Sequence, residues 1–280
     1  MGEVIPPSVA LLILGSATTL SVGSLFVAGI APAALLAVTL MIGVLIRAYR
    51  YGFPKGPAFN LARALRSIPP ALPALLVPLI VLGGIIGGIA SATESSSFAV
   101  VYGLLAAILV YHSLDAKSAW VGFREAAVTS GMVLLMLSTA NLLSQAIVID
   151  GLGAKLSILL DGLTDARMFL FVSMAAIIVL GFVLEGFPAI LITAPLLLPI
   201  AQKHGIDPLH YGILLTMAVG IGVFMPPVGI GYYIACAVGE ASPHETIRPS
   251  LIYNIFLIIG LVVCILYPEI ILTLPRLAGL

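Results

Sequence analysis

Residues 219–231 read Val219-Gly-Ile-Gly-Val-Phe-Met-Pro-Pro-Val-Gly-Ile-Gly231, in the middle of an apolar run long enough to reach bilayer depth. Pro226 and Pro227 each lack an N–H, and their rings clash with carbonyls one turn back, so helical hydrogen bonding is expected to fail between about Ile221 and Gly231. Carbonyls are left without partners there. In hydrocarbon each such group costs several kcal/mol, so a break is tolerable only where it faces protein, water or a bound ion. Those are the surroundings of a cation site, although a single proline kink in a structural helix has the same local signature.

The device occurs twice. Ile5-Pro6-Pro7-Ser8 repeats it 220 positions ahead of Pro226 and Pro227. Each copy is followed by a small-residue-rich apolar segment, and then by another apolar segment that begins near Pro32 in one case and Pro249 in the other. Hydrophobic segments interrupted at corresponding places in two halves point to the central binding site of a transporter.

Composition sets the class. Of 280 residues 61% are hydrophobic and only 9% charged, whereas soluble domains carry about 25% charge. The apolar runs approach or exceed the ~20 residues that cross a bilayer and lack the period-two alternation of barrel strands, so the expected fold is an all-α polytopic membrane protein. Lysine plus arginine balance aspartate plus glutamate at 12 each, with no basic block, which leaves nucleic-acid binding without a basis. Cys236 and Cys264 sit in apolar segments away from other ligand-type residues and are expected to be packing residues. The first residues lack the cationic lead and cleavage site of a signal peptide. Glu3-Val-Ile-Pro-Pro reads as a helix break with no helix before it, so part of a repeat is expected to be missing ahead of it.

Along the chain, residues 8–30 are apolar and rich in glycine, serine and threonine, which favour close helix packing. A span over 33–46 follows. Arg47, Arg50, Lys55, Arg63 and Arg66 come next with no acid among them, which places this loop in the cytoplasm. A proline-rich span over 67–93 leads to Thr93-Glu94-Ser-Ser-Ser97, either a helix N-cap or a polar patch beside an ion or substrate path. Residues 115–124, with Trp120, are expected to form an interfacial segment, and 126–149 and 168–184 to be spans. Glu185, Gly186 and Pro188 then break the helix, and residues 189–201 are too short to cross. This is the pattern of a re-entrant hairpin over about 181–205. A last span is expected over 251–266, after a polar loop at 241–248. Residues 1–66 thus close a first repeat with its basic loop, 67–167 form connecting scaffold helices, and 168–280 form a second repeat with its hairpin and its break at 225–229.

Glu185 is the acid set deepest in hydrophobic sequence, and an intramembrane carboxylate is a functional candidate by default, or else a cap on the helix that follows. Sodium prefers hard oxygen donors. Unwound carbonyls near Glu185, Gly186, Phe187, Met225, Pro226, Pro227, Val228 and Gly229, with the hydroxyls of Thr193 and Thr216, would supply them. An anionic substrate group would meet the N-termini of half-helices starting near Pro188 and Val228.

Several linked motifs carry a resemblance over the whole chain: Ile5-Pro-Pro-Ser8, Ser21-Val-Gly-Ser-Leu-Phe-Val-Ala-Gly-Ile-Ala-Pro32, Gly84-Ile-Ile-Gly-Gly-Ile-Ala-Ser-Ala-Thr-Glu94-Ser-Ser-Ser97, Pro195-Leu-Leu-Leu-Pro199 with Gly205-Ile-Asp-Pro208, and Gly222-Val-Phe-Met-Pro-Pro-Val-Gly229. The chain resembles the large permease subunit of tripartite ATP-independent periplasmic (TRAP) transporters, the DctM family. The resemblance implies an inverted-repeat, elevator-type secondary transporter with broken helices and re-entrant hairpins, in the bacterial inner membrane. It implies sodium-coupled import of organic acids such as C4-dicarboxylates, sialic acid or sugar acids, without an enzymatic cofactor. The implied partners are a small four-helix membrane subunit and a periplasmic substrate-binding protein. It also implies that one sodium site uses backbone near Glu185, Met225 and Gly229, and that the first break, at Pro6, Pro7 and Ser8, serves another. Gly222, Thr93 and Glu94 belong to the matching motifs, and Glu185 stands where many members have aspartate. About a third of the family's subunit, including a first hairpin, would precede this sequence, and residues 1–280 alone are expected not to transport.

Rival readings are a sodium-dicarboxylate symporter or arsenite-type antiporter, a channel, or a membrane enzyme. An enzyme finds no support in the scattered His112, His204, His210 and His244, and an ATP-driven pump none in the absence of a phosphate-binding Gly-x-x-x-x-Gly-Lys loop.

Overall fold

The computed structural model describes residues 2–53, 56, 60–151, 165–184 and 186–280, and every regular element among them is a helix. In chain order these are α1 (Val9–Ala17), α2 (Val22–Tyr51), α3 (Leu61–Ile86), α4 (Ala92–Leu109), α5 (Ala116–Ile149), α6 (Ala166–Val183), α7 (Gly186–Lys203), α8 (Pro208–Val223), α9 (Ile230–Val238), α10 (Pro243–Leu266) and α11 (Glu269–Leu277). Among the described residues seven helices, all but α1, α8, α9 and α11, are long and apolar enough to cross a membrane. The chain divides into two units, Met1–Arg47 with Met136–Leu280 and Ala48–Leu135.

In the larger unit the core is α8. Nearly every residue from His210 to Gly222 is buried, and a helix apolar all round belongs inside a bundle. α6, α7, α1, α10 and α11 pack around it. Its closest neighbour approaches through glycine. A Cβ built on Gly222 would press on the carbonyl of Ile178 and stand 2.8 Å from main-chain atoms of Gly181 and Phe182, and one on Gly181 would stand 2.8 Å from the Val219 carbonyl oxygen. Neither helix could come this near with a larger residue at those points.

The two diproline breaks repeat as structure. Both Pro6-Pro7 and Pro226-Pro227 are cis. Each break is followed by a nine-residue helix, α1 or α9, then by four residues, 18–21 or 239–242, and then by a long helix, α2 or α10, that runs through an internal proline, Pro32 or Pro249. The two long helices lie antiparallel. Phe256 of α10 fills the space over Gly43 of α2, Gly260 sits against Leu36 and Thr39, and the Arg47 guanidinium stacks on Tyr253 at 5.2 Å. A repeated unit whose equivalent helices run in opposite senses is an inverted repeat.

The smaller unit packs α3 on α4. The Ser95 side chain closes on the Cα of Gly84, and the Tyr111 hydroxyl donates to the carbonyl of Pro70 at 2.7 Å.

Several element boundaries differ from those expected. The span expected over 33–46 is longer, because α2 begins at Val22 and continues through Pro32 to Tyr51, and residues 8–30 are divided between it and α1, which stops at Ala17. The hydroxyl of Thr18 donates back to the Leu14 carbonyl at 2.7 Å and closes the short helix. The segment 115–124 is the first part of the 34-residue α5, not a separate interfacial piece. The loop expected at 241–248 is the first turns of α10, because Pro243 takes the N-terminal position where a missing N–H costs nothing. α7 covers 18 residues because it starts at Gly186 and tolerates Pro195 and Pro199, so it is long and apolar enough to cross a membrane where the 189–201 piece was expected to be too short.

The close α6–α8 crossing predicts that Gly222→Ala destabilises the protein by about 1–3 kcal/mol, read as a lower thermal midpoint of the detergent-purified protein. Gly122→Ala, where nothing lies within 4 Å of the added carbon, is expected to leave that midpoint in place. The antiparallel pairing also fixes sides. With the basic end of α2 in the cytoplasm, α11 lies on the outer face, so a cysteine replacing Leu277, which is 78% exposed, is expected to react with an impermeant maleimide applied to intact spheroplasts.

Candidate functional site

At the first break Ser8, buried to 2% exposure, does two things. Its oxygen accepts from the N–H of Leu11 at 3.3 Å and caps α1, and its hydroxyl donates to the Glu3 carbonyl at 2.5 Å. The Val4 carbonyl turns onto the Cα of Gly29 in α2, which has room for it because glycine has no Cβ. The break is therefore a packed turn held by named partners.

At the second break the main chain turns tightly. The N–H of Met225 donates to the Gly222 carbonyl at 2.9 Å and that of Gly229 to the Met225 carbonyl at 3.0 Å. Asn254, 3% exposed on α10, donates its side-chain amide to the Phe224 carbonyl at 3.2 Å. Gly229 must be glycine, since a Cβ there would press on the Val223 carbonyl and come within 2.7 Å of the Met225 oxygen. Among the described residues the carbonyls of Pro226, Pro227 and Val228 accept no hydrogen bond. Carbonyl oxygens with free lone pairs on three successive residues can ligate a hard cation.

Both breaks reach one cavity of about 620 Å³. Glu3 enters it from the first break and Val223 and Phe224 from the second, with Gly186 and Phe187 of α7, one face of α9 from Ile230 to Val238, and Gly239 just past it completing the lining. Two helix N-termini open into it, at Gly186 and at Ile230, each with first-turn N–H groups and the positive end of a helix dipole. The lining is otherwise apolar, and Glu3 is its one ionisable group among the described residues.

The sequence candidates divide accordingly. Gly186 and Phe187 line the cavity, while Pro6, Pro7, Ser8, Met225, Pro226, Pro227, Val228 and Gly229 form the two turns beside it. Gly222 is the packing glycine of the α6–α8 crossing. Thr193 and Thr216 are buried, and their hydroxyls donate to the carbonyls one turn back, Ala189 at 2.6 Å and Gly212 at 3.0 Å. Their protons are engaged within the helix, leaving only oxygen lone pairs for a ligand. Thr93 and Glu94 belong to the smaller unit. There Glu94 and Ser91 form a reciprocal capping box at the start of α4, with Glu94 accepting from the Ser91 N–H at 2.8 Å, the cap alternative raised by the sequence. Glu185 lies outside the described residues. Glu3 and Asn254 were missed as site residues. The available signals were a carboxylate next to a diproline and an amide inside an apolar span.

An all-helical membrane protein with two broken segments, related as an inverted repeat and meeting on one cavity, has the architecture of a secondary carrier. Over residues 1–270 the chain matches the family described as tripartite ATP-independent periplasmic transporter, DctM component, and it belongs to that family, as a multi-pass protein of the inner membrane. It is 32% identical over 281 residues to the C4-dicarboxylate TRAP transporter large permease protein DctM of Pseudomonas aeruginosa, covering 100% of this chain and 66% of that one. It is 31% identical to the 2,3-diketo-L-gulonate TRAP transporter large permease protein YiaN of Escherichia coli, over 97% of this chain and 64% of that one. To the isethionate TRAP transporter permease protein DctMQ of Oleidesulfovibrio alaskensis it is 34% identical, over 88% of this chain and 39% of that one. The chain thus spans about two thirds or less of the length of these relatives.

Because Ser8 both caps α1 and holds the Glu3 carbonyl, Ser8→Ala is expected to cost about 1–2 kcal/mol. Ser8→Thr, which keeps the hydroxyl, is expected to recover most of it in the same thermal-unfolding measurement.

Proposed function

We propose that the chain is the ion-coupled membrane subunit of an importer of organic acids, working with a small membrane subunit and a periplasmic binding protein. The observation that carries this reading is the convergence of both broken segments and two helix N-termini on the 620 Å³ cavity. Helix N-termini favour a carboxylate or sulfonate, because unpaired N–H groups and the dipole both attract negative charge. The free carbonyls of residues 226–228 favour a small hard cation beside it, and sodium is the coupling ion proposed. Occupancy of one site then lowers the electrostatic cost of occupying the other, which is what coupling two fluxes requires.

Substrate chemistry is drawn from the relatives. Those named above carry C4-dicarboxylate, 2,3-diketo-L-gulonate and isethionate in their names, and a further one, 28% identical, is the sialic acid TRAP transporter permease protein SiaT of Haemophilus influenzae. All are small polar organic anions. An uncoupled channel is disfavoured by a lining that, among the described residues, is apolar apart from one carboxylate and offers no continuous polar path.

The test is uptake into proteoliposomes holding the full-length permease and its small subunit, with the binding protein outside. Accumulation of a labelled organic acid is expected to need an inward sodium gradient and to cease when choline replaces sodium; uptake indifferent to sodium would remove the coupling proposed. Gly229→Ala moves the carbonyls of the second break and is expected to raise the sodium concentration for half-maximal uptake at least about tenfold.

A further inference from the structure

The cavity holds one feature that an importer of simple organic anions does not need, the carboxylate of Glu3. Glu3 is half-buried. Its Cγ lies 3.2 Å from the Cβ position of Gly220 on α8, and its Oε1 lies 3.7 Å from that of Gly186, the first residue of α7. The side chain therefore crosses α8 at Gly220, where the missing Cβ leaves it room, and ends at the N-terminus of α7. Its main chain is held there by the Ser8 hydroxyl. A carboxyl group thus lies at one of the two positive helix ends that open into the cavity. The N-terminus of α9, at Ile230 and Gly231, remains open to a ligand.

Among the described residues, the charge pattern offered to cargo is consequently one open positive helix end and one carboxylate, on otherwise apolar walls. A dianion placed there would meet Glu3 at short range in a site of low dielectric, where like charges repel strongly. No lysine, arginine or histidine among the described lining residues offsets it. A molecule with an acid at one end and an ammonium at the other meets both features.

We propose that Glu3 is a specificity-determining residue and that the cargo of this carrier is zwitterionic, its carboxylate or sulfonate directed to the N-terminus of α9 and its ammonium to Glu3. This inference rests on the carrier reading above and goes beyond it, because the relatives' names specify no cationic group. Matched pairs of cargo isolate the ammonium: aspartate against succinate, and taurine against isethionate, each pair close in size and differing chiefly by the charged nitrogen.

The test is competition by these four compounds in the full complex in proteoliposomes, comparing the native permease with Glu3→Gln and Glu3→Asp. Because the binding protein is the same throughout, its own preferences cancel when the ratios are compared between variants. Native permease is expected to prefer the ammonium-bearing member of at least one pair, Glu3→Gln to lower that preference by about tenfold or more, and Glu3→Asp, which keeps the charge, to retain most of it. An equal loss of all uptake in Glu3→Gln and Glu3→Asp would make Glu3 a structural partner of α7 and overturn the proposal. Unchanged ratios in Glu3→Gln would overturn it while leaving the carrier reading intact, as would a shift confined to sodium dependence, which would make Glu3 a ligand of the coupling ion. A native complex that moves none of the four compounds nor any other organic acid would overturn the carrier reading and this inference together.

Discussion

A main chain interrupted at bilayer depth must find partners for the carbonyls that the helix no longer serves, because lipid offers none. The structure meets that requirement with a few polar side chains and with glycines. Ser8 reaches back to Glu3, Asn254 reaches across from α10 to Phe224, and Gly29 and Gly229 leave space for main-chain oxygens to approach. Among the described residues these contacts leave the carbonyls of Pro226, Pro227 and Val228 at the second break, and of Ile5, Pro6 and Pro7 at the first, without a hydrogen-bond donor.

The surrounding helices hold the breaks in place. α8 is buried on all sides and leads directly into the second break, while its glycines at 220 and 222 admit Glu3 on one side and α6 on another. Rigid, glycine-mediated packing on one side of a site and irregular backbone on the other is a sound basis for ligand selectivity, since positions set by a close-packed core do not drift. The same packing links residues far apart in sequence. The first break, the start of α7 and the second break meet only because α1, α7 and α8 pack together.

The repeat carries a further consequence. Two stretches of break, nine-residue helix, four-residue link and long helix lie in opposite senses, with α2 and α10 packed antiparallel at Gly43 and Gly260. Opposed copies of one unit give a molecule two similar faces, the geometric precondition for exposing a central site to either side of a membrane. The copies are not chemically equal, however. Glu3 is an acid in front of the first diproline, whereas the second is preceded by Phe224 and Met225.

The membrane class, the helical fold, the family and the two breaks were legible in the sequence, because they depend on local chemistry: apolar length, the missing N–H of proline, and the clustering of small residues. The interruption before Gly186 and Phe187 was legible for the same reason, although the helix restarts at Gly186 itself and not near Pro188. Helix boundaries were less so. Whether Pro32 or Pro249 ends a helix or is absorbed by it depends on neighbours that pack around the freed carbonyl, and residues 115–124 joined α5 because nothing local stops a helix there. The tertiary structure alone decided that Glu3 and Phe224, more than two hundred residues apart, line the same cavity, that Asn254 serves the second break, and that Thr193 and Thr216 turn their hydroxyl protons into their own helices. These are outcomes of long-range packing, and a linear pattern of residue types records which groups a chain carries but not which of them its folding brings within reach of one another.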